Sequence, residues 1–139
     1  MNEDLSFSFE WVRKATLNWF AIEPTWSFAS TPGLASHMTW QIGHIYVISE
    51  NISQALGVER RHSEHWYTLF RSNSRPFSIP NAEFPSWSNL IDALAEQQNR
   101  LLKSLKTANQ NLLNAQNPAQ ARHRPTTVRG WIVHTIRHE

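Results

Sequence analysis

With 139 residues, 40% of them hydrophobic and 12% aromatic, the chain is too apolar to be disordered and fits one domain, residues 1–139. Its net charge of +2 and its lack of a long apolar run or a signal pattern argue against nucleic acid and membranes as partners and favour the cytoplasm. Because it contains no cysteine, disulfides and thiol nucleophiles are excluded, and a metal site must use histidine and carboxylate ligands.

Two amphipathic helices are predicted in the first part of the chain. Apolar residues recur at helical spacing from about Asn2 to Ile22 and again from about His37 to Leu56. Prolines and a glycine between the two runs break the pattern. Ser36 is the expected N-cap of the second helix, and Gly57 is its expected C-terminal stop.

A long crossover and a third long helix are predicted next. One short helix is expected over about Ser63 to Arg71, followed by an irregular, proline-containing segment that ends near Phe84. The third long helix is expected to have Ser86 as its N-cap and to end near Ala115, because leucines recur along it at helical spacing.

The fourth predicted helix follows a polar linker, NPAQARHRP, whose final proline precedes Thr126 as the expected N-cap. This helix is predicted to run to the end of the chain. No stretch shows the period of two that is typical of strands. Four main helices, with one long crossover between the second and the third, predict an all-α fold of the four-helix-bundle class.

Histidines are the main candidates for chemistry in this chain. Most are expected to be ordinary surface residues, because a lone histidine on a helix is more often solvated or hydrogen-bonded than a metal ligand. His44 lies in the middle of the second helix beside its apolar face, so it can point into a crevice between helices; the alternative is a buried histidine bonded to a carbonyl or a tyrosine. Glu50 lies on a different face and is not expected to share its ion. The seven histidines are His37, His44, His62, His65, His123, His134 and His138.

Two histidines of the last helix are separated by their angles around the helix axis. The apolar stripe of this helix is formed by Val128, Ile132 and Thr135. His138 lies next to Trp131 at the edge of the stripe, whereas His134 is turned about 40° further towards solvent. We therefore expect His138 to face His44 across the bundle and His134 to be a neighbour, although their spacing would also let His134 and His138 reach one ion.

Two segments resemble the DinB/YfiT-like family. The first, HMTWQIGHIYVISENISQAL, contains WQIGH at residues 40–44 and resembles the family's second helix, where a W-x-x-G-H pattern holds the first metal-binding histidine. The second, PTTVRGWIVHTIRHE at residues 125–139, is similar to the opening of the family's last helix. The resemblance covers essentially the whole chain and implies the same four-helix bundle with a long crossover.

The resemblance also implies a metal site. His44 matches the first ligand, His138 matches the second, and His134 matches a histidine that is usually not a ligand. The family's third ligand usually stands four residues after the second, which falls beyond Glu139. We therefore expect a chain cut short within its last helix, with an incomplete site that binds nickel or zinc weakly.

The leading functional hypothesis is a divalent-metal-binding protein on a scaffold used by metal-dependent hydrolases and thiol-dependent S-transferases, with a small-molecule substrate that the sequence does not identify. No serine or threonine has a matched base and orienting group, so no catalytic residue and no organic-cofactor residue is assigned. Whether the chain is an enzyme stays open. The alternative is a non-catalytic helical module that forms a homodimer or binds a partner helix through apolar surface.

Overall fold

The computed structural model describes residues 3–117 and 125–139, and within them it contains six α-helices, two short 3₁₀ helices and no β-strand. The all-α prediction is confirmed. The helices are α1 (Glu3–Trp19), α2 (Met38–Ala55), α3 (Glu64–Phe70), α4 (Trp87–Thr107), α5 (Gln110–Asn114) and α6 (Val128–His138), and the 3₁₀ helices are Pro76–Ser78 and Asn81–Glu83. None of these helices is both long and apolar enough to cross a membrane. The predicted polar linker, with His123, falls largely on residues 118–124, outside the described part.

Side chains at the N-termini set where several of the helices begin. Ser86 caps α4 as predicted, because its side chain accepts a hydrogen bond from the Asn89 backbone N–H. The predicted caps of α2 and α6 were each one residue too early. His37 caps α2, because its imidazole Nδ1 accepts a hydrogen bond from the Trp40 backbone N–H, as a serine hydroxyl would. Thr127 caps α6, because its hydroxyl accepts from the Gly130 backbone N–H.

The predicted third helix is interrupted near its end. Helix α4 stops at Thr107, and Ala108 has an extended backbone with φ −62° and ψ 130°. The Asn109 side chain then accepts a hydrogen bond of 2.8 Å from the Leu112 backbone N–H and starts the separate helix α5. Asparagine competes with the helix for backbone groups, which explains why a continuous helix to Ala115 was wrong.

Several pairs of helices pack against each other. Helices α1 and α2 both contact α4, and α6 contacts both α1 and α2. The buried apolar residues form two clusters, one around Leu101 and Ile132 and the other around Ile42 and Leu90. A bridge between Gln116 and Thr127 brings together the chain on either side of residues 118–124.

Gly43 lets α3 approach α2 closely. A Cβ atom at this position would lie 2.2 Å from Cε1 of Phe70, which is far inside van der Waals contact. Only a residue without a side chain fits there while the Phe70 ring stays in place. This glycine belongs to the WQIGH segment, and the contact it allows places the carbonyl of Phe70 beside the next residue, His44.

Candidate metal and ligand site

A cavity of about 790 Å³ is lined by residues of α1, α2 and the end of α6. His44 and His138 both line it, so the structure brings to one cavity the two histidines that the sequence selected as ligands. His134 does not line the cavity, but its ring lies 4.5 Å from that of His138, centroid to centroid. The wall also carries Lys14 and Glu139 and is otherwise mostly apolar and aromatic.

His44 is held in place by two neighbours. Its Nδ1 lies 2.6 Å from the carbonyl oxygen of Phe70, and its ring stacks on Trp40 with centroids 4.5 Å apart and planes 11° from parallel. The Trp40 indole is fixed in turn, because its Nε1 donates to the carbonyl of Leu69 and to Oγ of Ser74. A carbonyl can only accept, so Nδ1 carries the proton of this bond, and in the neutral imidazole the lone pair then lies on Nε2. Metal-binding histidines are typically oriented in this way.

The two histidines of α6 differ from the prediction in their exposure. The apolar stripe is buried as expected, and Val128, Ile132 and Thr135 are all covered. However, His134 is half-buried and His138 is exposed, the reverse of the order expected from the angles alone. The angle ignores position along the helix axis, and His138 lies in the last turn of α6, where the helix reaches the cavity.

A buried arginine connects this end of α6 to the interior. Arg13 on α1 is fully buried, and its Nε donates to Oε1 of Glu139 at 2.6 Å. The same guanidinium donates to the carbonyl of Leu94, to Gln97 and to Ser49, and it lies 5.0 Å from the centre of the Phe9 ring. Sequence reasoning missed this arrangement. Its signal was a charged residue four positions after Phe9 and three before Thr16, on the buried stripe of α1.

The hydrogen bonds continue from Gln97 to a second buried charge. The amide of Gln97 donates to Oε1 of Glu50, which also forms an ion pair with Arg100. The other carboxylate oxygen of Glu50 accepts from the backbone N–H of Arg61 at 2.7 Å. Glu50 thus serves this network and does not line the cavity.

Tyr46, which lies beside this network, does not supply a nucleophile. Burial raises the pKa of its hydroxyl to about 12, and the Glu50 carboxylate acts in the same direction. The phenol therefore stays protonated near neutral pH. The histidines of the cavity are therefore the remaining candidates for chemistry at this site.

The fit of a metal ion can be judged from these residues. Two imidazoles on different helices line one cavity, and the hydrogen bond at Nδ1 of His44 prepares its Nε2 as a donor. Over residues 3–117 and 125–139, no group of three or more histidine, aspartate or glutamate side chains is arranged to hold a metal ion. Among the described residues, His44 and His138 are the two histidines that line the cavity.

Comparison with protein families identifies the chain. The sequence model of the DinB superfamily matches residues 8–139. The chain belongs to the DinB superfamily. This confirms the resemblance noted from WQIGH and from the last helix. Comparisons with curated proteins and with solved structures each found no match.

Within this DinB superfamily chain, the two motif segments meet at the cavity although they are distant in sequence. WQIGH contributes Trp40, Gln41, Ile42 and His44 to the wall, and the last helix contributes His138. Gly43 does not line the cavity but permits the Phe70 contact that orients His44. Each residue of the WQIGH segment therefore has a structural part in forming the site.

Proposed function

We propose that this DinB superfamily protein binds a divalent metal ion, nickel or zinc, through His44 and His138. The observation that carries the proposal is that both imidazoles line one cavity while the Phe70 carbonyl fixes the tautomer of His44. Imidazole is a ligand that suits both metals. A third ligand four residues after His138 lies outside residues 1–139 and stays a prediction, and so does the cytoplasmic location.

We further propose that α1, α2, α4 and α6 form a four-helix bundle that serves as the scaffold of a metal-dependent hydrolase or thiol-dependent S-transferase. The contacts of α1 and α2 with α4, and of α6 with α1 and α2, support this arrangement. A bound ion would supply Lewis acidity towards a water or a thiol. The chain's own residues orient His44 through Trp40 and Phe70, and they surround a small-molecule substrate with apolar walls.

A metal titration tests the assignment. We expect calorimetry to show weak binding of nickel or zinc to the wild-type chain and loss of that binding in His44→Ala and in His138→Ala. His65→Ala is the matched control, because His65 is exposed on α3 and does not line the cavity. Unchanged binding in His44→Ala, or an equal loss in the control, would contradict the assignment.

A second candidate function is association with another copy of the chain. Several large apolar side chains of α1 and of the segment after it are exposed to solvent. The exposed fractions are 68% for Phe7, 66% for Trp11, 81% for Trp19 and 85% for Ile22. Such exposed aromatic surface is typical of interaction sites. As an alternative to ligand binding in the cavity, which Trp11 and Trp19 also line, we propose a homodimer that covers this face. Light scattering over a range of concentrations should show a dimer that Phe7→Ser weakens, and a strict monomer would exclude it.

A further inference from the structure

The walls of the cavity indicate the shape of the molecule that it accepts. Aromatic side chains dominate one part of the wall and aliphatic side chains complete it. The aromatic residues are Trp11, Trp19, Phe20 and Trp40, and the main aliphatic ones are Met38, Ile42 and Ile45. Aromatic rings pack best against flat partners, through offset stacking or edge contacts. A volume of about 790 Å³ is in the range of sites for small organic molecules.

The charges on the wall indicate the sign of the molecule's charge. Among the described residues that line the cavity, Glu139 is the single acid, and its carboxylate is already paired with the buried guanidinium of Arg13. Lys14, which also lines the cavity, forms no salt bridge with any residue in the described ranges. An anionic group therefore meets an ammonium, whereas a cationic group meets no carboxylate that lacks a partner.

We propose that the cavity binds a small anionic molecule with a flat aromatic body. The indole and phenyl rings of the wall contact the body, and Lys14 pairs with the anionic group. The inference rests on the proposed function in that it takes this cavity as the functional site, but the ligand contacts it invokes are separate from the metal. Lys14 is exposed, so its contribution is modest and acts on charge selectivity more than on affinity.

Three probes with the same flat body and head groups of different charge test the proposal. Naphthoate, naphthylmethanol and naphthylmethylammonium, substituted at the same ring position, present the same flat body as an anion, a neutral molecule and a cation. Their dissociation constants would be measured by ligand-observed NMR with the full chain in the presence of a chelator. We expect naphthoate to bind about two- to fivefold more tightly than the alcohol, as for an exposed ion pair, and the cation to bind most weakly.

Variants separate the two parts of the recognition. Lys14→Gln should remove the preference for naphthoate over the alcohol and leave binding of the alcohol unchanged. Lys103→Gln is the matched control, because Lys103 is exposed on α4 away from the cavity. Trp11→Ala should weaken all three probes by a similar factor, whereas Trp26→Ala, at an exposed tryptophan that does not line the cavity, should not. All four side chains are exposed, and circular dichroism would verify that each variant folds.

Each outcome decides between the proposals. Equal binding of the three probes, preference for the cation, or no binding at all would overturn the inference. So would a naphthoate preference that Lys14→Gln leaves intact. The metal titration is read separately, because the probes are measured under chelation. Metal binding without charge selectivity refutes the inference alone, and charge selectivity without metal binding refutes the metal assignment alone.

Discussion

The polar groups of the protein interior and those of the cavity wall have different surroundings. In the interior, Arg13, Gln97, Glu50 and Arg100 form a continuous series in which each charged group has partners on other helices. On the cavity wall, His44, His138 and Lys14 stand among aromatic and aliphatic side chains. Glu139 belongs to both regions, because it lines the cavity and pairs with Arg13.

This difference separates groups that hold the helices together from groups that can act on a ligand. A buried charge that loses its partner is costly, so substitutions in the interior series should act mainly on the free energy of unfolding. Glu139 apart, substitutions on the wall leave no unpaired buried charge, and they should act mainly on binding.

Replacing Arg13 should have the largest effect on stability. Arg13→Met leaves the Glu139 carboxylate without its partner and removes the donors to Leu94 and Gln97, so the free energy of unfolding should fall by about 3–5 kcal/mol. Urea denaturation measures the change. The neighbouring Lys14→Met is the control and should be close to wild type, because Lys14 is exposed. A loss below about 1 kcal/mol in Arg13→Met would show that this pair does not hold the interior together.

Replacing Gly43 should affect both stability and metal binding, because Gly43 packs against Phe70, whose carbonyl contacts His44. In Gly43→Ala the new Cβ would meet the Phe70 ring, and such overpacking costs about 1–3 kcal/mol, partly offset by about 1 kcal/mol of improved helix propensity. The displacement of Phe70 should also move the carbonyl that orients His44 and weaken metal binding. The double variant Gly43→Ala, Phe70→Leu should recover part of the stability. Wild-type stability and metal affinity in Gly43→Ala would contradict the role given to this contact.

Acidification should release the N-cap of α2. Burial lowers the pKa of His37 from its ordinary value of 6.5, and the Pro76 carbonyl opposes this only in part. The unfolded chain therefore takes up protons more readily, so this contribution to stability is full above pH 6.5 and is lost as the pH falls through the lowered folded-state pKa. Protonation of Nδ1 would also remove the acceptor for the Trp40 backbone N–H.

The His37 effect can be isolated by substitution. Asparagine can still cap the helix but does not titrate, so His37→Asn should lose less stability than wild type between pH 7.5 and pH 5.5. Paired urea titrations at the two pH values measure the difference. Equal pH dependence in the two proteins would show that other groups are responsible.

Removing one hydrogen bond from the cavity wall should have the smallest effect. In Ser74→Ala the Trp40 indole loses one of its two acceptors but keeps the carbonyl of Leu69, so the free energy of unfolding should fall by only about 0.5–1 kcal/mol. Thermal unfolding would measure this change. If Ser74→Ala lowered the free energy of unfolding as much as Arg13→Met does, the proposed difference between wall and interior residues would be wrong.

The sequence predicted the parts of the fold that depend on local pattern. Apolar spacing located α1 and α2, and Ser86 marked the start of α4. The short helix α3 is bounded by Ser63 and Arg71 as expected. Errors occurred where one side chain competes with the backbone. Asn109 ends the third predicted helix early, and His37 and Thr127 cap one residue later than the expected serine and threonine.

The candidate site could be predicted from the sequence only where a motif or the face of a helix indicated a residue. They selected His44 and His138, which line the same cavity. The alternative reading of His44, a histidine bonded to a carbonyl, matches the contact at its Nδ1, but the sequence did not identify Phe70 as the residue that supplies it. Nor did it reveal the pairing of Arg13 with a residue 126 positions away. Such contacts depend on how distant segments pack, which periodicity within one helix does not encode.

The parallel stack of Trp40 on His44 has an optical consequence. The two rings lie 4.5 Å apart, so a positive charge arriving on the imidazole, as a proton or through a coordinated cation, falls directly against the face of the indole. Indole emission is quenched by an adjacent cationic imidazole. The protein thus carries a natural fluorophore against the first of its two candidate ligands. Occupancy of His44 should therefore lower the share that Trp40 contributes to the steady-state emission of the seven tryptophans, without any added label.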